Sequence, residues 1–241
     1  MRKMALKTFF AVMLLIVVFF ISGCGSSTDG NVKNAAYEII DDQGAMIQLE
    51  HKPERILTLA MGTDSIVLGI LPEEKLIAIN SLADDPVSSN IVDKANGITR
   101  KIKNPSAEEI LSLKPDVVFI YNWGKAEMVD NLRELGIKVV VVKGPKSIAD
   151  VKENVKLIAK TLGEEDKGNL MIAKMDDKLA EIKEKVDNIK PEERKKLVLI
   201  SLMTSYGGKG CTFDDICKYA GVINGVSDAG LHNGQLLTKE M

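Results

Sequence analysis

The residues best suited to hold a ligand stand where predicted strands end. Tyr121, Asn122 and Trp123 follow one such strand directly, and Trp123 is the one tryptophan of the 241-residue chain. Aromatic rings at this place could stack on a planar ring of a ligand, although ordinary loop packing explains them equally well. Ligands of parallel α/β sheets gather beyond the carboxyl ends of the strands. By that argument the other strand ends contribute three more candidate ligand-binding residues, Met61, Asn80 and Tyr206.

The composition argues against an enzyme and against a metal centre. The two histidines, His51 and His232, are far apart, and five residues separate Cys211 from Cys217. A protein metal site needs more ligands than these provide. The glycine-rich stretch at 207–210 lacks the spacing of a phosphate-binding loop, and no nucleophile stands in a recognisable catalytic motif. The sequence therefore predicts no catalytic residue, no metal ligand and no cofactor, and it leaves open whether the two cysteines pair.

The N-terminal segment predicts export. A positively charged start precedes an uninterrupted apolar run at 9–21, which is shorter than the ~20 residues of a spanning helix and typical of a signal peptide. Ser-Gly-Cys24 follows and resembles the bacterial lipoprotein box, which implies removal of residues 1–23 and lipid attachment to Cys24. An uncleaved membrane anchor with an incidental cysteine is the alternative. We expect an extracytoplasmic lipoprotein, at the cell surface or in the periplasm, with a flexible tether at 24–36.

The charge of the mature chain argues against nucleic acid as a partner. Removing residues 1–23 leaves 29 basic against 34 acidic residues, so the formal net charge changes from -2 to -5. Nucleic-acid binding requires a clustered basic face, which this mixed and mildly acidic composition does not provide.

The body of the chain alternates strands with helices. A hairpin with a turn at 42–44 comes first, and Thr63 or Asp64 is expected to cap the first helix. Ser106 opens a capping box at the start of a later helix. Because the strands are continuous apolar runs, they predict a parallel sheet covered on both faces. The predicted strands span 56–60, 76–79, 116–120, 137–142 and 197–202, and the predicted helices span 62–71, 106–114, 126–135 and 213–220.

Two long amphipathic segments separate the main strand-helix block from a shorter one. Apolar residues recur at spacings of three and four over 148–162 and again over 164–188, which predicts two helices, the second of them a stiff connector. Alternation restarts after Pro191, and a further helix is expected to begin at Thr238. One strand and one complete helix cannot enclose an α/β core, so we expect the second block to be incomplete.

Four stretches, taken in order, resemble one family. They are KPERILTLAMGTDSIVLGI, NPSAEEILSLKPDVVF, LRELGIKVVVV and CTFDDICKYAGVINGVSDAG, at 52–70, 104–119, 132–142 and 211–230. They are similar to the periplasmic binding proteins for iron-siderophores, haem and vitamin B12. The family often has Thr-Glu after its first strand; Thr63-Asp64 stands there in this chain and keeps the carboxylate.

The resemblance implies an α/β fold of two Rossmann-like lobes with parallel sheets joined by a long rigid helix, the second lobe truncated in this chain. The expected boundaries are 37–146 for the N-terminal lobe, 147–190 for the helical connector and 191–241 for the start of the C-terminal lobe. The ligand would lie in the cleft between the lobes. It would be a ferric chelate, haem or a corrinoid, with the iron-siderophore as the default.

The resemblance also implies partners. Glu108 and Glu240, one on each lobe, match the glutamates that dock on the membrane permease of an ABC importer, which works with an ATPase; for Glu109 a helix-capping role is preferred. Cations in the loop before the capping-box helix can meet an anionic ferric chelate, and Lys101 is the candidate there, with its neighbours Arg100 and Lys103 taken as solvated. A monomer is expected. The alternatives are the ligand-binding lobe of an extracytoplasmic sensor and, less favoured, an extracytoplasmic enzyme.

Overall fold

The computed structural model describes residues 37–124, 126–200 and 206–235. Lipid attachment at Cys24, docking through Glu240 and a helix start at Thr238 lie outside those residues. The strands are β1 (Tyr37–Ile40), β2 (Met46–Leu49), β3 (Ile56–Thr58), β4 (Leu76–Asn80), β5 (Lys101–Ile102), β6 (Val117–Tyr121), β7 (Val139–Val142), β8 (Lys196–Leu197) and β9 (Ile223–Asn224). The α-helices are α1 (Met61–Ile70), α2 (Val92–Ala95), α3 (Ala107–Ser112), α4 (Ala126–Glu134), α5 (Ile148–Leu162), α6 (Glu165–Val186), α7 (Thr212–Tyr219) and α8 (Gly225–Asp228).

Five parallel strands form the main sheet in the order β5-β4-β3-β6-β7. Every residue of β6 and β7 is buried, which explains why both strands are continuous apolar runs in the sequence. Successive residues point to opposite faces, so Phe119 packs with α1 and α5 while Val118 packs with α3 and α4. The predicted α/β fold with a parallel sheet covered on both faces is confirmed.

The hairpin of β1 and β2 is tied to the β7 edge of the sheet. The Asp42 N–H donates to the carbonyl of Val141 at 3.0 Å, and the neighbouring Asp41 carboxylate accepts the Val141 N–H at 3.1 Å. The same carboxylate is fully buried and accepts Arg133 from α4 at 2.6 Å. Contacts of this kind cover an edge strand that would otherwise expose its main-chain hydrogen-bonding groups.

Two predicted helix caps have different outcomes. Ser106 caps α3 as expected, and its hydroxyl accepts the Glu109 N–H at 3.2 Å. The prediction for α1 was wrong: its N-cap is Ala60, which provides no side-chain hydrogen bond. Thr63 instead donates its hydroxyl to the Ala60 carbonyl at 2.7 Å, and Asp64 is buried against the sheet. Both side chains are buried, so they bond to groups inside the protein: Thr63 to the Ala60 carbonyl and Asp64 to the Thr58 hydroxyl.

Helix α6 has 22 residues, or about 33 Å at 1.5 Å per residue. It contacts helices of both strand-helix blocks, namely α1 and α5 of the first and α7 of the second. None of the helices in the described ranges is long and apolar enough to cross a membrane. The division of the chain into lobes and connector at 147 and 191 stays a prediction.

The second block holds only short strands in the described residues. Strand β8 has two residues and pairs in parallel with β9. The predicted strand at 197–202 was therefore too long where it can be checked, since 198–200 is not strand and Ile200 is 92% exposed. Among the described residues, β9 pairs with Lys196 and Leu197 only, so the apolar residues at 198–200 have no strand partner there. Residues 201 and 202 lie outside the described ranges.

Candidate functional site

A cavity of about 640 Å³ opens at the carboxyl ends of β3, β4, β5 and β6. Its walls are mainly apolar and aromatic, with a few polar groups among them. They include Leu59, Asn80, Lys103, Tyr121, Trp123 and Met128. The volume is within the range of small-molecule sites, and this composition is typical of them.

The strand order explains why a cavity forms at this place. The chain leaves β3 toward β4 on one side of the sheet, whereas it leaves β6 toward β7 on the other side. The connections therefore diverge between the carboxyl ends of β3 and β6 and leave a crevice there, which is where ligands bind in sheets of this kind. The strand-end argument from the sequence thus points to the same edge of the sheet at which this cavity opens.

Tyr121 and Trp123 form an aromatic wall of this cavity. Their ring centroids are 4.4 Å apart with an interplanar angle of 42°. Tyr121 is buried at the end of β6, while Trp123 is 66% exposed and lies across Gly144, where a Cβ atom would overlap the indole ring. Because residue 144 is a glycine, the indole can approach the main chain closely there while it lines the cavity.

Asn122 lies between these aromatic residues but has another role. Its side-chain amide donates to Asp42 at 2.7 Å, and its side-chain oxygen accepts the Gly144 N–H at 3.0 Å. The residue does not line the cavity. It joins the end of β6 to the hairpin and to the segment after β7, and so it supports the aromatic wall from behind.

Asn80 lines the cavity at the end of β4, and its side chain is committed to the wall itself. The amide donates to the Leu59 carbonyl at 3.2 Å, and the side-chain oxygen accepts the Leu82 N–H at 2.9 Å. The first bond joins the ends of β3 and β4. The second orders the turn that follows β4. Asn80 therefore shapes the cavity more than it offers polar groups to a ligand.

Lys101 and Lys103 have different roles in the structure, although they are two residues apart in the sequence. Lys101 does not line the cavity: its ammonium group donates to the carbonyls of Ala95 and Ile98 at 3.0 and 2.5 Å and pairs with Asp84 at 3.3 Å. Lys103, two residues further along the chain, does line the cavity. It is followed by Asn104, whose φ of 48° is uncommon for a residue other than glycine and marks a tightly constrained loop.

The remaining predicted ligand contacts do not line this cavity. Met61 begins α1, next to the lining residue Ala60, and is half-buried. Tyr206 lies in the second block, where burial raises the pKa of its hydroxyl and the Cys211 side chain adds to the effect. The structure thus brings together Asn80, Tyr121 and Trp123 of the predicted set.

Glu108 is exposed in the first turn of α3. A hydrogen bond from Ser106 and one from the helix N–H hold the pKa of its carboxyl group below the ordinary value. The group is therefore ionised at neutral pH and available on the surface, as a docking carboxylate must be.

Sequence reasoning missed Lys103, Asn104 and Met128 as lining residues, and it misplaced Asp64. The Asp64 carboxyl group is fully buried, and burial raises its pKa to about 7 although Thr58 and the Asn80 N–H donate to it. Burial also raises the pKa of Tyr121 to about 12, and the nearby charge of Asp64 adds to that rise. An aspartate within the apolar stretch Met61–Ile70 is the signal that could have revealed a buried carboxylate.

The lining is suited to binding. Among the described lining residues, aromatic and aliphatic groups dominate, together with the Lys103 ammonium group and the amides of Asn80 and Asn104. Within the described ranges, no three histidine, cysteine, aspartate or glutamate side chains gather as metal ligands would. Such a site can enclose a flat or bulky organic ligand and meet a negative charge at Lys103.

Comparison with known proteins places this arrangement in a family. The periplasmic binding protein family model matches residues 63–238. The chain is 24% identical over 196 residues to the uncharacterized ABC transporter substrate-binding lipoprotein YvrC of Bacillus subtilis (strain 168), covering 77% of this chain and 61% of the relative. It is 26% identical over 186 residues to the iron(3+)-hydroxamate-binding protein FhuD of the same strain, covering 74% and 55%.

The fold is shared with solved structures. The periplasmic haem-binding protein RhuT from Roseiflexus sp. RS-1 in its apo form superposes with a TM-score of 0.65 at 24% identity, covering 78% of this chain and 71% of that one. The chain spans about three fifths of the length of the curated relatives it matches. Since the family model matches well over half of its residues, the chain belongs to the periplasmic binding protein family.

Proposed function

We propose that this protein is the extracytoplasmic substrate-binding component of an ABC importer, held at the membrane by a lipid on Cys24. It captures an iron-siderophore, haem or a corrinoid and delivers it to a permease that works with an ATPase. The observation that carries the proposal is the aromatic wall of Tyr121 and Trp123 on a cavity of about 640 Å³. This cavity lies where the connections after β3 and β6 diverge. The names of the relatives, which include iron-siderophore and vitamin B12 binding, support the ligand class.

The chemistry of the cavity agrees with a metal chelate as ligand. Ferric chelates, haem and corrinoids all present organic ring or chain surfaces around a metal that they coordinate wholly or in part. An indole face and apolar side chains such as Met128 bury such surfaces favourably. Lys103 would meet a carboxylate or another negative group of the ligand.

Delivery to a permease would use surface charge. Glu108 is an exposed, ionised carboxylate in the first turn of α3, and Glu240 is its proposed counterpart in the second block. Paired docking charges set orientation and association rate more than affinity. Replacing Glu108 by Gln should therefore slow transport while leaving ligand binding in the cavity unchanged.

Equilibrium dialysis of the full chain in mild detergent tests the proposal. The ligands are a ferric hydroxamate, a ferric catecholate, haem and cobalamin. We expect saturable binding of one class and a loss of about tenfold or more in the Trp123→Ala variant, since base- or ring-stacking contacts of this size contribute ~1–3 kcal/mol. Leu135→Ala is the matched control, because Leu135 is an exposed apolar residue that does not line the cavity.

Two outcomes would redirect the proposal. If none of the four ligands binds to folded protein, the metal-chelate assignment is wrong. If a ligand binds but the protein does not associate with an importer permease reconstituted from the same cell, the ligand-binding lobe of a sensor is the better assignment, because the two functions share the cavity and differ in the partner.

A further inference from the structure

A buried hydrogen-bonded cluster lies directly behind the cavity wall. Its centre is Asp64 in the first turn of α1, which is fully buried. The carboxylate accepts the Thr58 hydroxyl at the end of β3 and the Asn80 N–H at the end of β4, the latter at 3.3 Å. One side chain thus holds the carboxyl ends of two neighbouring strands at the edge where the cavity opens.

The cluster is connected to residues that line the cavity. Asn80 accepts the Leu82 N–H and donates to the Leu59 carbonyl, and all three residues line the cavity. On the other side, the Tyr121 hydroxyl lies so close to α1 that a Cβ atom at Gly62 would overlap it. Asp64 is thus joined to the Asn80 turn by one hydrogen bond, and it lies two residues beyond Gly62, where the Tyr121 hydroxyl of the aromatic wall meets α1.

The groups that face Asp64 are few. Strand β3 presents the Thr58 hydroxyl, β4 the Asn80 N–H, and β6 the Tyr121 phenol, which is the titratable neighbour. Helices α5 and α6 pack on α1 with apolar side chains, Val155 and Met171 among them. The Lys94 ammonium group reaches α1 from α2, but it donates to the Leu68 carbonyl, about one turn further along α1 than Asp64. No described charged side chain is among the causes of the Asp64 pKa shift.

These contacts make the protonation state of Asp64 consequential. An ionised carboxylate accepts both donors in charge-assisted hydrogen bonds. Once it is protonated, the Thr58 hydroxyl must turn to accept from it, and the bond from the Asn80 N–H loses the assistance of the charge, so both strand ends are held more weakly. Burial raises the pKa of Asp64 to about 7, so the group changes its state within the range of pH that an extracytoplasmic protein meets.

We propose that Asp64 is a positioning residue that makes ligand capture depend on pH: its carboxylate holds the ends of β3 and β4 in the binding arrangement, and its protonation loosens the cavity wall. Affinity therefore falls as the medium becomes acidic. This inference rests on the proposed function for the capture step. The conformational part does not, because it concerns the unliganded protein.

Fluorescence of the unliganded full chain tests the conformational part. Trp123 is the one tryptophan, and its ring is 4.4 Å from that of Tyr121. Emission recorded between about pH 5 and pH 9 should show a single transition near neutrality. Asp64→Asn should abolish that transition. Thr58→Val, which removes a donor to the carboxylate, should move the midpoint to higher pH, because that hydrogen bond lowers the Asp64 pKa.

Asp116→Asn is the matched control. Asp116 also braces the sheet, since its carboxylate accepts the Glu54 and Arg55 N–H groups at 2.8 and 2.9 Å, but it does so at the amino ends of the strands. Its transition should equal that of the unmodified chain. If Asp64→Asn fails to fold, the inference is tested by the pH midpoint of the emission transition in Thr58→Val, which should lie above that of the unmodified chain. A transition that is unchanged in both variants, or no transition in the unmodified chain, overturns the inference.

Binding measurements separate this inference from the proposed function. With whichever of ferric hydroxamate, ferric catecholate, haem or cobalamin binds, affinity should fall about tenfold from ~pH 8.5 to ~pH 5.5 and less than about twofold in Asp64→Asn, a tenfold change being one unit of coupled pKa shift. Equal affinity at both pH values overturns the inference and leaves the function standing. No binding at any pH overturns the function, while the emission transition still decides the role of Asp64.

Discussion

The main sheet β3–β7 and the segment that follows β8 both contain apolar runs of sequence, and the two runs differ in how they are covered. In the five-stranded sheet, Phe119 and its neighbours are fully buried between helices on both faces. In the second block, Val198 and Ile200 follow a two-residue strand and are 57% and 92% exposed. An apolar run becomes a buried strand only where neighbouring strands and two layers of helices enclose it, so the run alone predicts burial poorly.

The largest expected effect tests that difference in burial. Phe119→Ala should lower the free energy of unfolding by about 3–5 kcal/mol, because it removes a fully buried ring and leaves a cavity. Ile200→Ala should change it by less than ~0.5 kcal/mol, as an exposed surface substitution does. Denaturant unfolding of the two variants measures both values. A cost at Ile200 equal to that at Phe119 would mean that the second block is enclosed after all.

Ion pairs sharpen the same comparison. Arg133→Met should cost about 3 kcal/mol, since it leaves the buried Asp41 carboxylate without its cation. Lys196→Met removes the pair with Asp228, in which both side chains are about half exposed, and should cost under ~1 kcal/mol. Thermal unfolding at low and high salt distinguishes them. The Lys196 pair should weaken with salt, whereas equal salt dependence at Arg133 would contradict its burial.

The two regions each bury an aspartate, and their pKa values shift in opposite directions. For Asp64, burial outweighs the hydrogen bonds and raises the pKa to about 7. For Asp214, burial acts to raise the pKa, but hydrogen bonds from Gly210, Asn224 and Ser227 together with the Lys218 charge leave it below its ordinary value. The folded protein therefore holds a proton on Asp64 that the unfolded chain gives up near pH 4, and it releases the Asp214 proton more readily.

The sign of the stability change follows from these shifts. Ionisation of Asp64 costs the folded state stability as pH rises from about 4 to 7, so Asp64→Asn should flatten the pH profile by roughly 2–3 kcal/mol between pH 5 and pH 8. Asp214 contributes stability above its unfolded pKa and loses it as pH falls through its lowered pKa, so Asp214→Asn should matter least in acid. Unfolding free energies across pH check both. Parallel profiles for the two variants would contradict the assignment.

The smallest expected effect concerns ligand contacts. Lys103→Gln should weaken binding of an anionic chelate about five- to tenfold, near 1 kcal/mol, because Lys103 lines the cavity. Tyr206→Phe in the second block should change affinity less than about twofold, since the Tyr206 hydroxyl hydrogen-bonds with Thr212. Lys101→Gln is the control for charge, and its ammonium is held by main-chain carbonyls. Equal losses of ligand affinity in Lys103→Gln and Lys101→Gln would indicate a long-range effect of charge and would contradict a direct contact at Lys103.

Much of the fold could be predicted because the governing interactions are local. The helix at 148–162 has its serine cap, its three- and four-residue apolar spacing and a terminal glycine in the sequence. The apolar run of β6 is broken by Asn122, and so the strand-end argument pointed to Tyr121 and Trp123, which line the cavity. The parallel direction of the main-sheet strands could be predicted because their connections run through helices, and such connections produce parallel pairs.

The rest depends on contacts between residues distant in sequence. Nothing local distinguishes Lys101 from Lys103; the carbonyls of Ala95 and Ile98 and the Asp84 carboxylate decide which lysine is held inside. Asp64 has the sequence position of a capping residue, but its partners are 6 and 16 residues away on two strands. The length of β8 likewise depends on its neighbour, which the apolar run does not specify.

The most direct test of the central claim is a fluorescence titration of Trp123 in the full chain with ferric hydroxamate, ferric catecholate, haem and cobalamin. Trp123 is the one tryptophan and lies on the cavity wall, so a ligand in the cavity must report on it. We predict saturable quenching by one ligand class, weakened in Lys103→Gln and in Tyr121→Phe. Binding by dialysis without any change in Trp123 emission, or no saturable response to any of the four, would contradict the assignment of this cavity as the metal-chelate site.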